Sequence, residues 1–343
     1  PEVCMIEWIM MLYLLGICLV AAVTDWKKGK IYNRWLSLGM IPASILVVLY
    51  YYGQRESIRL FLMNLLAAIA IAIIFYALKM WGAGDSKLWM FLNFLFPAGW
   101  YVTTDSMLFP SMLIFMLIFL EAYLYIFLES IWYRFFKKKK GIQLQKEKFD
   151  SQQVWNLLFS ISFLSLVYTL CAYFMGEYYE SNRIFFAVVG VLLTSQLVAV
   201  QFRGKKVLTV ILCILYVAGA VMSGGMRMND LGLTVLLVLV SHFSLKFAEK
   251  YNYEWVKTSE VKSGMILSYF AVQQFSYSRA KGLPETTDET TKSRITKEQA
   301  ESIHRWEKSK YGKEYIMVVR YIPFAVFVLA GLITYLVGAW VLK

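Results

Sequence analysis

Long apolar runs recur along this chain, and clusters of lysine and arginine stand at the ends of several of them. A helix needs about 20 apolar residues to cross the hydrocarbon core of a bilayer. With 59% hydrophobic and 17% charged residues, the chain is too apolar for an ordinary soluble protein. The pattern therefore predicts an all-α polytopic membrane protein.

Windows of membrane-spanning length predict about ten transmembrane helices, with both termini outside the cell. They lie near residues 5–24, 33–52, 57–78, 85–102, 108–132, 153–175, 184–201, 206–222, 231–248 and 316–340. Every strong basic cluster then falls on one side, which the positive-inside rule identifies as the cytoplasm. The first run is followed by its basic cluster, so we interpret it as a membrane helix and not as a cleavable signal peptide. We expect a multi-pass protein of the cytoplasmic membrane.

The spacing of the runs divides the chain into five parts. In order, they are a membrane core of about five helices (1–136), a basic cytoplasmic linker (137–151), four additional membrane helices (152–248), a small cytoplasmic α+β module (249–315) and a final membrane helix (316–343). In the module, Thr296 and Gln299 fit a capping box that opens a helix through about Lys310. Its apolar face is formed by Ala300, Ile303 and Trp306. Strands are expected near residues 261–272.

The charge and the metal-binding residue types exclude several classes of function. The net charge is +12, but the basic residues collect beside apolar runs and do not interleave with aromatic residues, so we expect no nucleic-acid partner. The four cysteines are isolated and predict neither a disulfide framework nor a zinc site. His242 and His304 are too far apart in the sequence to indicate a metal site, and a Ser/His/Asp triad is not supported. No metal and no cofactor are predicted.

One short loop brings a carboxylate to the membrane boundary. Residues 81–87 read Trp-Gly-Ala-Gly-Asp-Ser-Lys, and two glycines so close together end the preceding helix. An acid at the mouth of an apolar segment is costly unless a partner or water receives it, so Asp85 is a candidate functional residue. The alternative is that Asp85 only caps the helix that follows.

A second acid is expected on the same membrane face. Asp25 stands at the C-terminal end of the first helix, where the helix dipole disfavours a carboxylate, so it is not a cap of that helix. A solvated charge near the membrane is the simpler interpretation of Asp25 alone. If Asp25 and Asp85 meet, however, they can share one proton, so that one activates water while the other polarises a peptide carbonyl. Nearby lysines would then tune the pair or serve only as positive-inside charges: Lys27, Lys28, Lys30 and Lys87.

The two acidic stretches resemble the motifs of a known family. Residues 25–33, with an aspartate, a basic stretch and Ile31-Tyr32-Asn33, are similar to the first aspartate motif of type IV prepilin and preflagellin peptidases. Residues 82–88 are similar to the second, the GxGD signature of these membrane aspartyl proteases. The resemblance covers about residues 5–130. A weaker one covers about 258–335, including Arg320-Tyr321-Ile322-Pro323-Phe324 and the stretch from Ser263 to Ile266, and leaves the helices between unexplained.

The resemblance implies a signal-peptide-processing hydrolase that cleaves the short basic leader of pilin-like or flagellin-like precursors at the cytoplasmic membrane face. It implies Asp25 and Asp85 as the catalytic pair. The same comparison gives supporting roles to Gly82 and Gly84 as a hinge, to Ile31 and Asn33 in shaping the first motif, and to Lys87.

Two departures from the family pattern stand out. Tyr32 replaces the usual proline, which puts the local turn in question. The paired CxxC motifs of bifunctional members are absent, so N-methyltransferase activity is not expected.

Two alternatives stay open at this point. A presenilin-like protease that cuts inside transmembrane substrates also uses GxGD, and it differs in where the substrate is cut. A scaffold or transporter that keeps the fold without catalysis would explain the extra helices. Transport needs polar residues near the membrane midplane, and Asn64, Asn93 and Glu121 are the main candidates. The sequence does not identify the particular substrate or the oligomeric state.

Overall fold

The structure, a computed structural model, describes residues 2–78, 80–101, 109–136, 151–199, 202–222, 228–249, 251–276, 278, 280–289 and 293–342. Most of these residues are helical. The α-helices are α1 (Glu2–Lys28), α2 (Asn33–Gly53), α3 (Ile58–Ala77), α4 (Ala83–Leu95), α5 (Met112–Phe136), α6 (Ser151–Met175), α7 (Glu177–Ser181), α8 (Arg183–Ala199), α9 (Lys205–Met222), α10 (Met228–Glu249), α11 (Tyr269–Phe275), α12 (Lys297–Glu307) and α13 (Phe324–Leu342).

Within the described residues, six helices are long and apolar enough to cross a membrane: α1, α2, α3, α5, α6 and α13. The chain is therefore a helical membrane protein, but ten spans are not confirmed. Helices α8 and α10 contain only shorter apolar stretches, Arg183–Leu192 and Asp230–Ser244. The predicted fourth span is wrong in length, because α4 has 13 residues, about 20 Å at 1.5 Å per residue. It stops at Leu95 because Phe96, just before Pro97, is extended.

Helix α13 completes a bundle with the first five helices, and we call these six the core bundle. It packs against α1, α5 and α4, although α6 to α10 separate it from them in the sequence. A glycine allows its close approach to α5, since a Cβ at Gly331 would lie 2.9 Å from the backbone nitrogen of Ile118. Helix α4 is enclosed by α1, α2, α3 and α13, and Leu88, Trp89 and Leu92 are buried on it.

A buried amide pair connects α3 to α4. Asn64 Nδ2 donates to Asn93 Oδ1 at 2.9 Å and to the Tyr101 hydroxyl at 2.6 Å. Asn64 Oδ1 accepts the Ser111 backbone N–H at 2.8 Å, which ties the residue before α5 to the same network. Buried polar groups that satisfy one another in this way stabilise a unique packing. Two of the polar residues considered for transport are therefore part of the structural interior.

Helices α6 to α10 form a second group beside α5. Helix α6 packs on α8, α9 and α10, and both α8 and α10 contact α5. The Tyr123 hydroxyl of α5 donates to Ser244 Oγ of α10 at 2.7 Å. The predicted basic linker, 137–151, lies outside the described residues apart from Ser151, the first residue of α6.

A small antiparallel sheet precedes α13 and, with α11 and α12, forms the module. Its strands are β1 (Tyr253–Lys257), β2 (Ile266–Leu267) and β3 (Tyr315–Val319), in the order β1-β3-β2. The predicted start of the last span near 316 is wrong, because β3 is the central strand of this sheet and α13 begins at Phe324. Ile316 and Val318 point into the module core. Because β3 is apolar, a hydropathy profile does not separate this strand from the helix that follows it.

The second half of the module contains the predicted capped helix. Thr296 Oγ1 accepts the Gln299 N–H at 3.2 Å and Gln299 Oε1 accepts the Thr296 N–H at 2.9 Å, so the capping box is confirmed. The predicted apolar face is buried in the module core: Ala300, Ile303 and Trp306. The helix ends at Glu307, earlier than expected. Of the predicted strand region, only β2 is a strand, and Ser268 caps α11 directly after it.

Candidate active site

One end of the core bundle, which we call the site end, collects both acidic motifs. Helix α1 ends there and α2 begins there, while α4 and α13 both start there. Residues 320–323 connect the module directly to the first turn of α13. The module and the two motifs therefore meet at the same end of the bundle.

Asp25 is buried in the last two turns of α1, with 1% of its surface exposed. Gly29 ends this helix in a left-handed conformation (φ +62°) and its N–H donates to the Asp25 carbonyl at 2.8 Å. Such a glycine is a common helix stop. The termination places the carboxyl of Asp25 beside the start of α13 and not in solvent, so the interpretation of Asp25 as a solvated charge is wrong.

The carboxyl of Asp25 accepts hydrogen bonds from two groups near α13. The Tyr321 hydroxyl donates to Oδ1, and the backbone N–H of Ala325, in the first turn of α13, donates to Oδ2 at 3.1 Å. The positive end of that helix dipole favours a carboxylate. Asp25 is thus badly placed for its own helix but well placed for the N-terminus of another.

Asp85 lies three residues after the N-cap of α4, and its Oδ2 accepts the Gly82 N–H at 3.0 Å. Asp85 therefore does cap the start of α4, as the alternative interpretation predicted. Burial, and next the charge of Asp25, raise the pKa of Asp85 to about 6, while the Gly82 N–H and Arg294 oppose that rise. The two acids thus interact electrostatically. A carboxyl with such a pKa holds or releases a proton close to neutral pH.

The two glycines of the second motif are needed for close contacts. A Cβ at Gly82 would lie 3.1 Å from Asp85 Oδ2, and a Cβ at Gly84 would lie 3.1 Å from the Cβ of Ile31. Gly82 has an ordinary extended conformation, with φ −75° and ψ 161°. Space, and not an unusual backbone angle, therefore accounts for both glycines. The hinge role predicted for Gly82 and Gly84 stays a prediction.

The two motifs are joined by a hydrogen bond between supporting residues. Lys87 Nζ of α4 donates to Asn33 Oδ1, at the start of α2, at 3.0 Å. Tyr32, the residue before Asn33, has φ −80° and ψ 121°, angles that a proline also adopts. A proline at position 32 would therefore fit the same backbone.

An aromatic cluster lies behind the glycine loop. Trp81 stacks on Phe119 of α5, with ring centroids 5.8 Å apart, and meets Phe324, the first residue of α13, at 5.7 Å. Offset and edge-to-face ring contacts of this kind add to the apolar burial. The cluster fixes the loop and the start of α13 relative to each other. By contrast, the lysines that follow Asp25 are exposed: Lys27, Lys28 and Lys30.

Sequence reasoning missed two residues of this site. The Arg294 guanidinium carbon lies 5.1 Å from the centroid of the Tyr321 ring, and the charge of Arg294 acts on both aspartates. Arg294 belongs to the module, where it forms a β-bridge with Ile266, so no local pattern connects it with Asp25. Gly29 was also missed, although a glycine after a helix that ends in two lysines is a recognisable stop signal.

The fold and the site together define a helical membrane protein with a pair of interacting aspartates at one end of its bundle. Residues 12–133 match the Type IV leader peptidase family. Over these residues the chain is similar to that family, as the motifs predicted, and the match supports a type IV leader peptidase-like membrane protease. The match contains both aspartate motifs and ends within α5, so the module and α13 lie outside it. No curated protein and no solved structure matches the chain.

Proposed function

We propose that the protein is an aspartyl endopeptidase that removes the short basic leader of type IV prepilin-like or preflagellin-like precursors at the cytoplasmic face of the membrane. Asp25 and Asp85 are its catalytic pair. The observation that carries the proposal is that both carboxyls lie at the site end of the core bundle, where the charge of Asp25 adds to burial in raising the pKa of Asp85. Both residues lie within the part of the chain that matches the leader peptidase family.

The chemistry follows from the shared proton. The ionised member of the pair removes a proton from a water molecule, whose oxygen then attacks the carbonyl carbon of the scissile peptide bond. The protonated member donates to the carbonyl oxygen. Collapse of the tetrahedral intermediate breaks the C–N bond, and a proton passes from the pair to the leaving amine. The reaction consumes one water and needs no metal or cofactor.

The basic residues at the site end support a cytoplasmic location. Lysines and arginines near the ends of membrane helices mark the inner side, and this end carries Lys27, Lys28, Lys30 and Lys87. A precursor whose leader lies in the cytoplasm and whose hydrophobic helix lies in the membrane would present the junction between them at this depth. The bilayer is then a partner of both enzyme and substrate.

The test is co-expression with a pilin-like precursor, with mass spectrometry of the precursor N-terminus. Asp25→Asn and Asp85→Asn should each abolish cleavage while the protein stays inserted and folded. Asp230→Asn is a matched control, because Asp230 lies in the first turn of α10 and pairs with Arg183 away from the site. Retained cleavage in either of the first two variants contradicts the pair.

The position of the cut separates the proposal from its alternatives. A cut beside the basic leader supports a leader peptidase, whereas a cut inside the hydrophobic helix indicates an intramembrane protease of the presenilin type. Intact precursor with the wild-type protein, across several pilin-like precursors, favours a scaffold or transporter. A methylated mature N-terminus that depends on this protein contradicts the expectation that methyltransferase activity is lacking.

A further inference from the structure

We infer that Tyr321 and Arg294, supplied by the C-terminal part of the chain, are positioning residues that favour the charged form of Asp25 over that of Asp85, so that Asp25 is the base of the catalytic pair and Asp85 its acid. The inference rests on the proposed function and deepens it. Both residues lie outside the family match, which ends at residue 133. Here "the clamp" means the Tyr321 hydroxyl and the Arg294 guanidinium.

The hydrogen bonds of the two acids are unequal. Asp25 accepts from the Tyr321 hydroxyl and from the Ala325 backbone N–H, one bond on each oxygen. Among the described residues, Asp85 accepts from the Gly82 N–H, on one oxygen only. Hydrogen bonds donated to a carboxylate favour its charged form. When one proton is shared between the two acids, these donors therefore favour its residence on Asp85.

Arg294 adds a positive charge that acts on both acids, and it packs against the residue that donates to Asp25. Its guanidinium stacks over the Tyr321 ring, 5.1 Å from the centroid, and a Cβ at Gly29 would lie 3.4 Å from both its Nη1 and Tyr321 Cε1. The arginine, the tyrosine and the end of α1 are thus packed together. The groups that act on Asp25 from neighbouring elements are Arg294 from the module, Tyr321 and the helix start from α13, and Asp85 from α4.

Tyr321 is suited to be a permanent donor. Burial, and next the bond to Asp25, raise the pKa of its hydroxyl above the ordinary value. The hydroxyl therefore keeps its proton at every pH at which a leader peptidase would work. Its role is to orient and charge-stabilise Asp25, and not to exchange protons with the substrate.

The first test removes one hydroxyl. Tyr321→Phe keeps the ring under Arg294 and deletes only the donor to Asp25. In kinetics on a precursor peptide, kcat should fall about tenfold while KM changes by less than about twofold. The acid limb of the kcat/KM profile, which reports the base of the free enzyme, should move to higher pH by about one unit. Tyr311→Phe, at an exposed tyrosine of the module, is the matched control and should leave the profile unchanged.

The second test separates charge from shape at Arg294. Arg294→Gln should move the acid limb in the same direction as Tyr321→Phe, because a carboxylate loses a nearby positive charge. Arg294→Lys keeps the charge and should restore most of the wild-type profile. Arg305→Gln is the control, since that guanidinium bonds Ser302 within the module. All variants are compared at equal folded fraction, judged by thermal unfolding in detergent.

The outcomes distinguish the inference from the function on which it rests. If Asp25→Asn and Asp85→Asn abolish cleavage but both clamp variants keep the wild-type pH profile and kcat, the clamp is wrong and the pair stands. If the acid limb shifts in Tyr321→Phe and Arg294→Gln but not in Arg294→Lys, the inference is supported. If cleavage persists in the aspartate variants, the proposed function fails regardless of the clamp.

Discussion

Lys87 Nζ donates a hydrogen bond of 3.0 Å to Asn33 Oδ1, so the lysine that follows the second aspartate holds the asparagine that follows the first. The bond links α4 to α2 across the site end. It lies on the exposed side, where such a bond contributes little stability. We therefore expect its role to be the alignment of the two motifs.

A double-mutant cycle tests this alignment. Lys87→Met and Asn33→Ala should each lower kcat/KM for leader cleavage about tenfold, and the double variant should be no worse than the more impaired single variant, because both changes break the same bond. The free energy of unfolding should change by less than about 1 kcal/mol in each variant. Fully additive losses would show that the residues act independently.

The coupling of the acids predicts a change in the titration of Asp85. Because the charge of Asp25 helps to raise the pKa of Asp85 to about 6, Asp25→Asn should lower that pKa. Carbodiimide labels protonated carboxyls, so the pH midpoint of Asp85 labelling, followed by peptide mass spectrometry, should fall below the wild-type value. Asp230→Asn removes a charge elsewhere and should leave the midpoint in place. An unchanged midpoint in Asp25→Asn would mean that the acids do not interact.

Gly84→Ala should impair the site through a single methyl group. The new Cβ meets the Cβ of Ile31 at 3.1 Å, and overpacking typically costs about 1–3 kcal/mol, more than the roughly 1 kcal/mol that alanine gains over glycine in a helix. We expect lower thermal stability and reduced cleavage. Gly16→Ala is the control, because a Cβ there meets nothing within 4 Å. Equal stability of the two variants would contradict the contact.

Gly331→Ala tests the closure of the core bundle in the same way. Its Cβ would lie 2.8 Å from Ile118 Cγ1 and 2.9 Å from the Ile118 backbone nitrogen, and backbone cannot swing aside. The substitution should force α13 from α5, lower the unfolding temperature and diminish cleavage, since α13 supplies a partner of Asp25. Gly338→Ala lies in the same helix with open space around its Cβ. It should be neutral or slightly stabilising, and a loss equal to that of Gly331→Ala would contradict the mechanism.

The sequence predicted the parts of the site that depend on local pattern. The glycines around Ala83 break the apolar run, and the alternation of membrane crossings predicts Asp25 and Asp85 on one membrane face. In the structure both lie at the site end of the core bundle. Helix length was harder to predict, because an apolar window does not reveal that α4 stops before Pro97. For the same reason the sequence did not predict β3, because its apolar residues look like the beginning of α13.

The contributions from distant residues were beyond such reasoning. The fold of the module brings Arg294 to the site. In the sequence, Arg294 lies in a charged stretch that reads as an ordinary loop. Tyr321 was noted only within a weak resemblance near the last span. The contact that makes it important, with a residue 296 positions earlier, depends on how α13 packs against α1.

The partners of Asp25 also impose an order on biosynthesis. Its carboxyl accepts hydrogen bonds from the Tyr321 hydroxyl and from the N–H of Ala325, which follow it by 296 and 300 residues. While the chain is still emerging from the ribosome, α1 is present but the groups that donate to Asp25 have not yet been made. A nascent chain that already contains both aspartate motifs therefore still lacks these two hydrogen-bond donors. On the proposed function, we therefore expect full activity only after α13 has joined the bundle.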